Sequence, residues 1–448
     1  MSALDLDLLV AVLKRAADRG ATAADGFLVE ERRFSATVRL GEVDTVTHSR
    51  EQRLALRVFA GRASAAASTS DLSPAALERL VDEATGLARA TAEDPHAGLP
   101  EPDALVGAVP DLQLADPAGH ELPPEDKIAV ARAAEAAALA VDPRITKSEG
   151  AEYWDRHARY AYATSAGFAA GYTSSLFGLT VTPVAARDGE MQRDAWYTLA
   201  RRRSALEDPA TVGRTAAHRA LRRLGARKVR TAEVPVVFDP ETAASLVRTV
   251  AAAAAGPALY RRASFLVDRR GRRIAAPTVT IVDDGTLPGA VGSRPFDGEG
   301  LPTQRTVVVH EGVLESYLLD TYSGRKLGLP STHHAARDGS GVTVAPTNLM
   351  LLPGRTAPED LIASVREGFY VTDLIGFGVN PVTGDYSRGA VGFWIEGGRL
   401  AYPVEEVTIA GNLLDMLAAV EGVGDDLRLR DRTAAPTVKI ARMVVAGH

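Results

Sequence analysis

Four stretches of this chain hold side chains whose types and spacing could do chemistry. The first is HEGVLESY, from His310 to Tyr317. A zinc peptidase of the HExxH type needs both imidazoles on one face of a helix, with the glutamate beside the metal-bound water. Here the fifth position is Leu314 and the sixth is Glu315, so neither HExxH nor HExxxH is completed. The residues read instead as a strand, a tight turn at Glu311-Gly312 and another strand. The second stretch is His333-His334. Adjacent histidines in an extended segment point to opposite sides and chelate one ion poorly, so STHHAARDGSG reads as a solvated polar loop. The other histidines, His48, His96, His120, His157, His218 and His448, are isolated.

The third stretch is arginine-rich, Arg201 to Arg203 and then Arg222 to Arg230. A nucleic-acid patch would interleave aromatics with the cations. None is interleaved here, and Glu207 and Asp208 lie nearby, so a solvated helix face is the expectation. The fourth is GFGVNPVTGDYSRGA, from Gly376 to Ala390. Gly384, Ser387 and Gly389 nearly spell a nucleophile elbow, but the first glycine comes one position early. A strand-like AVGFWIEGG follows where an elbow needs a helix. No local histidine could activate Ser387. Backbone amides and short polar side chains in this loop could hold a substrate, and they could equally form a network that only shapes the turn.

The elements that would position these residues are legible in outline. QRLALRVFAG alternates Leu54, Leu56 and Val58 against polar or small neighbours, as a half-buried strand does. FSATVRLGEVDTVTHS reads as two strands about a turn at Gly41-Glu42. Ser73 and Pro74 open a helix whose apolar stripe is Leu77, Leu80, Val81, Ala84 and Leu87. A Pro-, Asp- and Gly-rich linker spans Asp94 to Pro124. A second helix is expected over Pro124 to Val141, and a third ends near Gly225. Strand Val234 to Phe238 then leads into a helix from about Pro240. The remainder is mostly strand, with a hairpin turn at Glu396-Gly397-Gly398-Arg399. This pattern predicts an α+β fold. Mixed or antiparallel sheets with flanking helices are expected in the N-terminal half, and largely antiparallel β structure in the C-terminal half. The expected domains are an N-terminal α+β region (1–110), a central α+β region (111–229) and a mostly β domain (230–448). A distant duplication relates the first two in this reading.

Composition narrows the function. A chain of 448 residues is too long for one ordinary core. The absence of cysteine excludes disulfides, thiolate nucleophiles and every Cys-containing metal site. A net charge of −6 disfavours nonspecific attraction to nucleic acid or anionic membranes. No apolar run is long enough to span a bilayer. The first twenty residues are amphipathic, lack a basic n-region and do not read as a signal peptide, so a cytoplasmic protein is expected.

Around the fourth stretch the sequence resembles the TldD/PmbA family, and within it the PmbA (TldE) branch. The resemblance rests on VTDLIGFGVNPVTGDYSRGAVGFWIEGGRLAYPVEEVTIAGNLLDML (Val371 to Leu417). It also rests, in order, on SFL (Ser264 to Leu266), IVDDGTLPGAVGSRPFDGEGLPT (Ile281 to Thr303), GVLESYLLDTYSGRKLG (Gly312 to Gly328) and PTNLMLLPG (Pro346 to Gly354). The N-terminal half agrees in organisation and length, with weaker motifs such as TSAGF. STHHAAR departs from the small-residue, Gly-Asn run expected in the branch.

The resemblance implies a two-subunit peptidase. A TldD-like subunit carries zinc on a helical HExxxH with a later cysteine, and a PmbA-like subunit pairs with it. Together they would cleave unfolded peptides or peptide natural-product precursors. In this chain the His, Glu and His positions correspond to Arg248, Thr249 and Ala253, and the cysteine would fall near Glu421 to Asp426. The expectation is therefore a noncatalytic subunit with no catalytic or metal residue and no cofactor of its own, the zinc residing in the partner. Expected peptide contacts are Pro346, Thr347, Asn348, Gly378, Asn380, Thr383, Gly384, Asp385, Ser387 and Arg388. Two alternatives stay open: a stand-alone or homodimeric binding or regulatory protein of the gyrase-modulator type, and an autonomous hydrolase without the family metal site.

Overall fold

The computed structural model describes residues 3–118, 122–339 and 341–447. His120 and His448 lie outside them. The chain opens with α1 (Ala3–Asp18), β1 (Ala23–Arg39), β2 (Glu42–Ala60), β3 (Ala63–Thr69) and α2 (Pro74–Ala90). A similar order, with one strand more, returns in α3 (Pro124–Leu139), β4 (Ile145–Thr164), β5 (Ala169–Arg187), β6 (Glu190–Arg193), β7 (Trp196–Ala200) and α4 (Pro209–Leu221). β1 pairs antiparallel with β2 on one side and with β4 on the other, from Asp25↔Thr164 to Val38↔Ala151. The strand order is β3-β2-β1-β4-β5-β6, with β7 beside β5. The two N-terminal regions thus build one sheet, and their element order is that of a repeated unit.

Alternation along the strands gives this sheet two different faces. On one face Leu28, Leu54, Leu56 and Val58 pack against α1 and α2, and farther along the same face Phe34, Phe177, Leu179 and Val181 pack against α3 and α4. The α3 and α4 contact is made of Ala131, Ala134 and Ala138 against Val212, Ala216 and Ala220. At Gly213 a Cβ would lie 2.0 Å from the Ala134 carbonyl oxygen, so the helix approach there requires glycine. Ser73 caps α2 by accepting from the Ala76 amide, and Leu77, Leu80, Val81 and Ala84 are buried as their spacing predicts. Leu87 is exposed instead, and the stripe continues through Thr85 and Ala88.

The other sheet face carries Phe27, Tyr162 and Tyr172, which pack with Phe296 of the C-terminal half. That half contains β8 (Ala232–Phe238), α5 (Pro240–Ala253), α6 (Gly256–Tyr260), β9 (Ile281–Asp284), β10 (Arg305–His310), β11 (Val313–Leu314) and α7 (Thr321–Leu327). It continues with β12 (Ala335–Asp338), β13 (Gly341–Val344), β14 (Leu349–Leu351), α8 (Pro358–Ala363), β15 (Glu367–Ile375), β16 (Asp385–Glu396) and β17 (Arg399–Asn412). It ends with α9 (Leu413–Ala418), β18 (Val420–Val423), β19 (Thr433–Ala434) and β20 (Val438–Ala446). One sheet runs β17-β16-β15-β8-β20-β18 and closes on itself through β17 and β20. A second runs β11-β10-β9-β14-β19. Pairing is antiparallel except at β8–β15 and β14–β19. Leu246, Val247 and Val250 of α5 share one core with Phe369, Val371, Ile281 and Leu351. The fold is α+β, as the sequence pattern indicates. His310 ends β10 and the turn falls at Glu311-Gly312, both with positive φ.

Charged side chains join the two halves. Asp25 of β1 is fully buried and receives Arg57 of β2 at 2.6 Å, Arg337 of β12 at 2.7 Å and the Tyr162 hydroxyl at 3.0 Å. Arg57 also reaches buried Glu299 at 3.2 Å, and Glu299 accepts from the Thr321 amide. Burial opposes ionisation of Asp25, but Arg337 and Arg57 outweigh it and hold the carboxyl at about 2. The solvated-face expectation for the arginine run is overturned for part of it. Arg201 is buried and donates to the carbonyls of Ser175, Ala290 and Val291. Arg223 lies 3.6 Å from Asp194 and 3.5 Å from Asp373. A helix face turned toward a second domain satisfies its cations there.

Asp25→Ala strands buried guanidinium charge and is expected to cost about 3–5 kcal/mol in urea unfolding. A loss under about 1 kcal/mol would show that the cluster contributes little beyond packing. A depressed folded-state pKa stabilises above the unfolded value of about 4 and is lost as pH falls toward the folded value. The stability gap between the natural chain and Asp25→Asn should therefore be full above about pH 4 and shrink toward pH 2.

Candidate functional site

Helix α5 begins where Asp239 caps it, the carboxylate accepting from the Thr242 amide at 2.8 Å and from its hydroxyl at 2.8 Å. Burial pushes this carboxyl up to about 6. The exposed side of α5 forms one wall of a cleft of about 770 Å³ between the two halves. Ser245 and Arg248 of α5 line it, with Trp196 and Tyr197 of β7, Arg219 of α4, Arg223 just beyond that helix, and Asp373 of β15. Tyr197 donates to Glu241 at 3.3 Å across one end. Arg248 therefore looks into the cleft, and Thr249 spends its hydroxyl on the Ser245 carbonyl at 2.9 Å. Ala253 is buried in the core.

The loop after β15 is held by its own polar groups. The Asn380 Oδ1 accepts from the Val382 amide at 3.0 Å, and the Thr383 hydroxyl donates to Asp385 at 2.6 Å. Asn412, a residue the sequence reading passed over, donates to the Thr383 carbonyl at 3.0 Å and to Asp385 at 3.2 Å. These hydrogen bonds from Thr383 and Asn412 lower the Asp385 pKa. The Ser387 amide donates to the Gly378 carbonyl at 2.7 Å, and the Asn380 amide to the Asp385 carbonyl at 2.8 Å. Gly384 adopts a φ of 82°. Arg388 reaches back to the Leu374 carbonyl at 3.3 Å and lines the α5 cleft. Phe377, at the loop tip, is wholly exposed, and Ile375 and Val382 are also exposed.

Pro346, Thr347 and Asn348 lie elsewhere. Thr347 and Asn348 are buried. Thr347 donates its hydroxyl and amide to Asp283, and His334 Nε2 lies 3.0 Å from the same carboxylate. Asn348 bridges the Asp284 carbonyl, Ser293 and the Gly292 amide. His334 is thus buried and paired, contrary to the solvated loop expected at His333-His334, because Asp283 supplies a partner far away in sequence. His333 is half-buried against the Pro302 carbonyl at 2.7 Å, and burial lowers its pKa. Pro346 borders a second cavity, distinct from the α5 cleft. The structure therefore brings the 378–388 residues together and separates them from the 346–348 group.

With this architecture in view, comparison with known proteins is direct. Residues 231–447 match the PmbA/TldA metallopeptidase C-terminal domain, 118–224 the central domain and 24–88 domain 1. The chain belongs to the PmbA/TldD family of metallopeptidases. It is 38% identical over 415 residues to Metalloprotease PmbA of Escherichia coli O157:H7, covering 93% of this chain and 90% of that protein. It is 36% identical to the Metalloprotease PmbA homolog of Haemophilus influenzae, with the same coverage. Among solved structures, a putative modulator of DNA gyrase from Bacteroides thetaiotaomicron superposes with a TM-score of 0.92 at 28% identity over the whole of both chains. TldE from Thermococcus kodakarensis superposes at 0.88 over 98% of this chain and 100% of its own, and at 19% identity it speaks for the fold alone.

A family of metallopeptidases raises the question of zinc. The residues present do not fit it. Arg248 and Thr249 offer no zinc donor toward the α5 cleft, and Ala253 has none. Among the described residues no group of three or more His, Cys, Asp or Glu is placed to hold a metal. No helix among them is long and apolar enough to cross a membrane.

At Gly378 a Cβ would lie 1.5 Å from the Ser387 carbonyl oxygen. Gly378→Ala should push the loop off β16, cost about 1–3 kcal/mol and open residues 376–384 to limited proteolysis. Unchanged stability and cleavage pattern would mean that the loop relaxes freely.

Proposed function

We propose that this chain is the noncatalytic, PmbA/TldE-type subunit of a zinc-dependent heteromeric peptidase acting on unfolded peptides or peptide natural-product precursors. The observation that carries the reading is the α5 cleft. It is open and polar, and it presents Arg248 where the resemblance puts a histidine, with Thr249 in the chain position of the glutamate base of the catalytic branch. A TldD-like partner would bring the zinc, which polarises the scissile carbonyl and lowers the pKa of the attacking water. This chain's part is to close the chamber and align an extended peptide, and alignment alone is worth several kcal/mol of barrier. The exposed apolar side chains of Ile375, Phe377 and Val382, gathered on one loop, support a role for it in meeting another chain, since clustered exposed apolar groups mark interaction sites. The assembly is taken to work in the cytoplasm, without nucleic acid or membrane.

Co-expression with a TldD-like chain encoded in the same genome tests this. The pair should co-purify, contain one zinc per pair and cleave unstructured peptides, with neither chain active alone. Phe377→Glu should weaken co-purification at least about tenfold, the scale of one buried aromatic anchor. Zinc bound by the isolated chain, or robust cleavage by it, would overturn the proposal.

A further inference from the structure

The second cavity, of about 340 Å³, lies between the face of the N-terminal sheet that carries Phe27 and the C-terminal half. Six guanidinium groups line it: Arg53, Arg156, Arg201, Arg294, Arg337 and Arg432. Two are matched by carboxylates, Arg337 by Asp25 and Arg156 by Glu31. The other four are not. Arg201 donates only to the backbone carbonyls already named. Arg294 donates to the Ala345 carbonyl at 3.2 Å, and its Nε is buried without a hydrogen-bond partner. Arg53 and Arg432 sit exposed at the rim and make no side-chain hydrogen bond or ion pair among the described residues. The one carboxylate in the lining, Asp297, accepts from the amides of Glu299, Leu301 and Ala335. Burial pushes Arg201 down to about 10, and Arg432 and Arg156 add repulsion.

Cations gathered without anions cost free energy unless something answers them. Guanidinium forks match carboxylates in shape as well as charge. Aromatic walls complete the cavity: Tyr160 stacks on Tyr172 at 4.8 Å, and Phe296 meets Tyr172 edge-on at 5.4 Å. Such walls suit the carbon of a peptide rather than a bare inorganic ion. We propose that this cavity recognises a peptide carboxylate, either the C-terminal group or an acidic side chain, with Arg201 and Arg294 at its base and Arg53 and Arg432 at its mouth. The proposal takes from the preceding section only that the ligand is a peptide.

The full chain alone suffices for the test, because no partner or zinc is involved. Fluorescence anisotropy is measured with labelled peptides of one length: uncharged with a free C-terminus, the same peptide amidated, and an amidated peptide containing glutamates. The first or the third should bind and the amidated uncharged peptide should not, and which of the two binds names the carboxylate. Arg53→Gln with Arg432→Gln should weaken binding roughly tenfold or more, at unchanged thermal midpoint because both sites are exposed. Arg262→Gln with Arg399→Gln, an equal charge loss at exposed sites outside the cavity lining, should leave binding unchanged. Equal affinity for all three peptides, or natural affinity in the double variant, would overturn the proposal. So would inorganic phosphate that binds while no peptide does. Peptide binding that fails while the reconstituted pair still cleaves removes this inference alone. Failed pairing with retained carboxylate binding removes only the partner.

Discussion

The arrangement of the two halves depends on one buried carboxylate. Asp25 sits on the central strand of the N-terminal sheet and holds two guanidiniums, one from its neighbour strand and one from β12 of the C-terminal half. A lone charge at that depth would be expelled or neutralised. Three groups on two halves satisfy it together, so each half is incomplete without the other. A hydrophobic contact such as Tyr162 with Phe296 tolerates sliding, whereas the Asp25–Arg337 pair sets one register between the sheet and the C-terminal half. Both cavities described above lie between the same two halves, and each takes its walls from both of them.

What could be read from the sequence was local. Caps at Ser73, strand alternation at Leu54 to Val58, and the Glu311-Gly312 turn depend on neighbours within a few residues, and each stands where the pattern put it. Leu87 was misplaced because the burial boundary on α2 is set by the sheet beneath it, not by the helix period. Arg201 and His334 were misread for a different reason. A polar side chain in a polar stretch looks solvated until a partner arrives from far along the chain. Asp283 lies 51 residues from His334, and the Val291 carbonyl lies 90 from Arg201. Nothing in a linear pattern carries that pairing.

The loop from Gly376 to Ala390 shows how far residue types can inform about a site. Their clustering marked a specific structure, and the hydrogen bonds give it content. Asn380 and Thr383 are occupied in shaping the turn, with Asn412 supplying the clasp from the end of β17. Arg388 is the member of this group that lines the cleft. The sequence left open whether such a loop binds or merely folds. The geometry separates its members: the turn residues hold the backbone, Arg388 bonds back to the Leu374 carbonyl beside the cleft, and the tip at Phe377 is exposed.

The α5 cleft carries the remaining step. It is an open space whose lining carries charges of both signs. Arg193, Arg219, Arg223, Arg248 and Arg388 line it against Glu149, Asp194, Glu241 and Asp373. Arg223 is partly neutralised by Asp194 and Asp373, while Arg248 has no ion-pair partner among the described residues. An open cleft with fixed positive charge attracts carbonyl and carboxylate oxygens without polarising them as a metal would. The same physics operates in the arginine-lined cavity, where four guanidiniums have no carboxylate partner among the described residues.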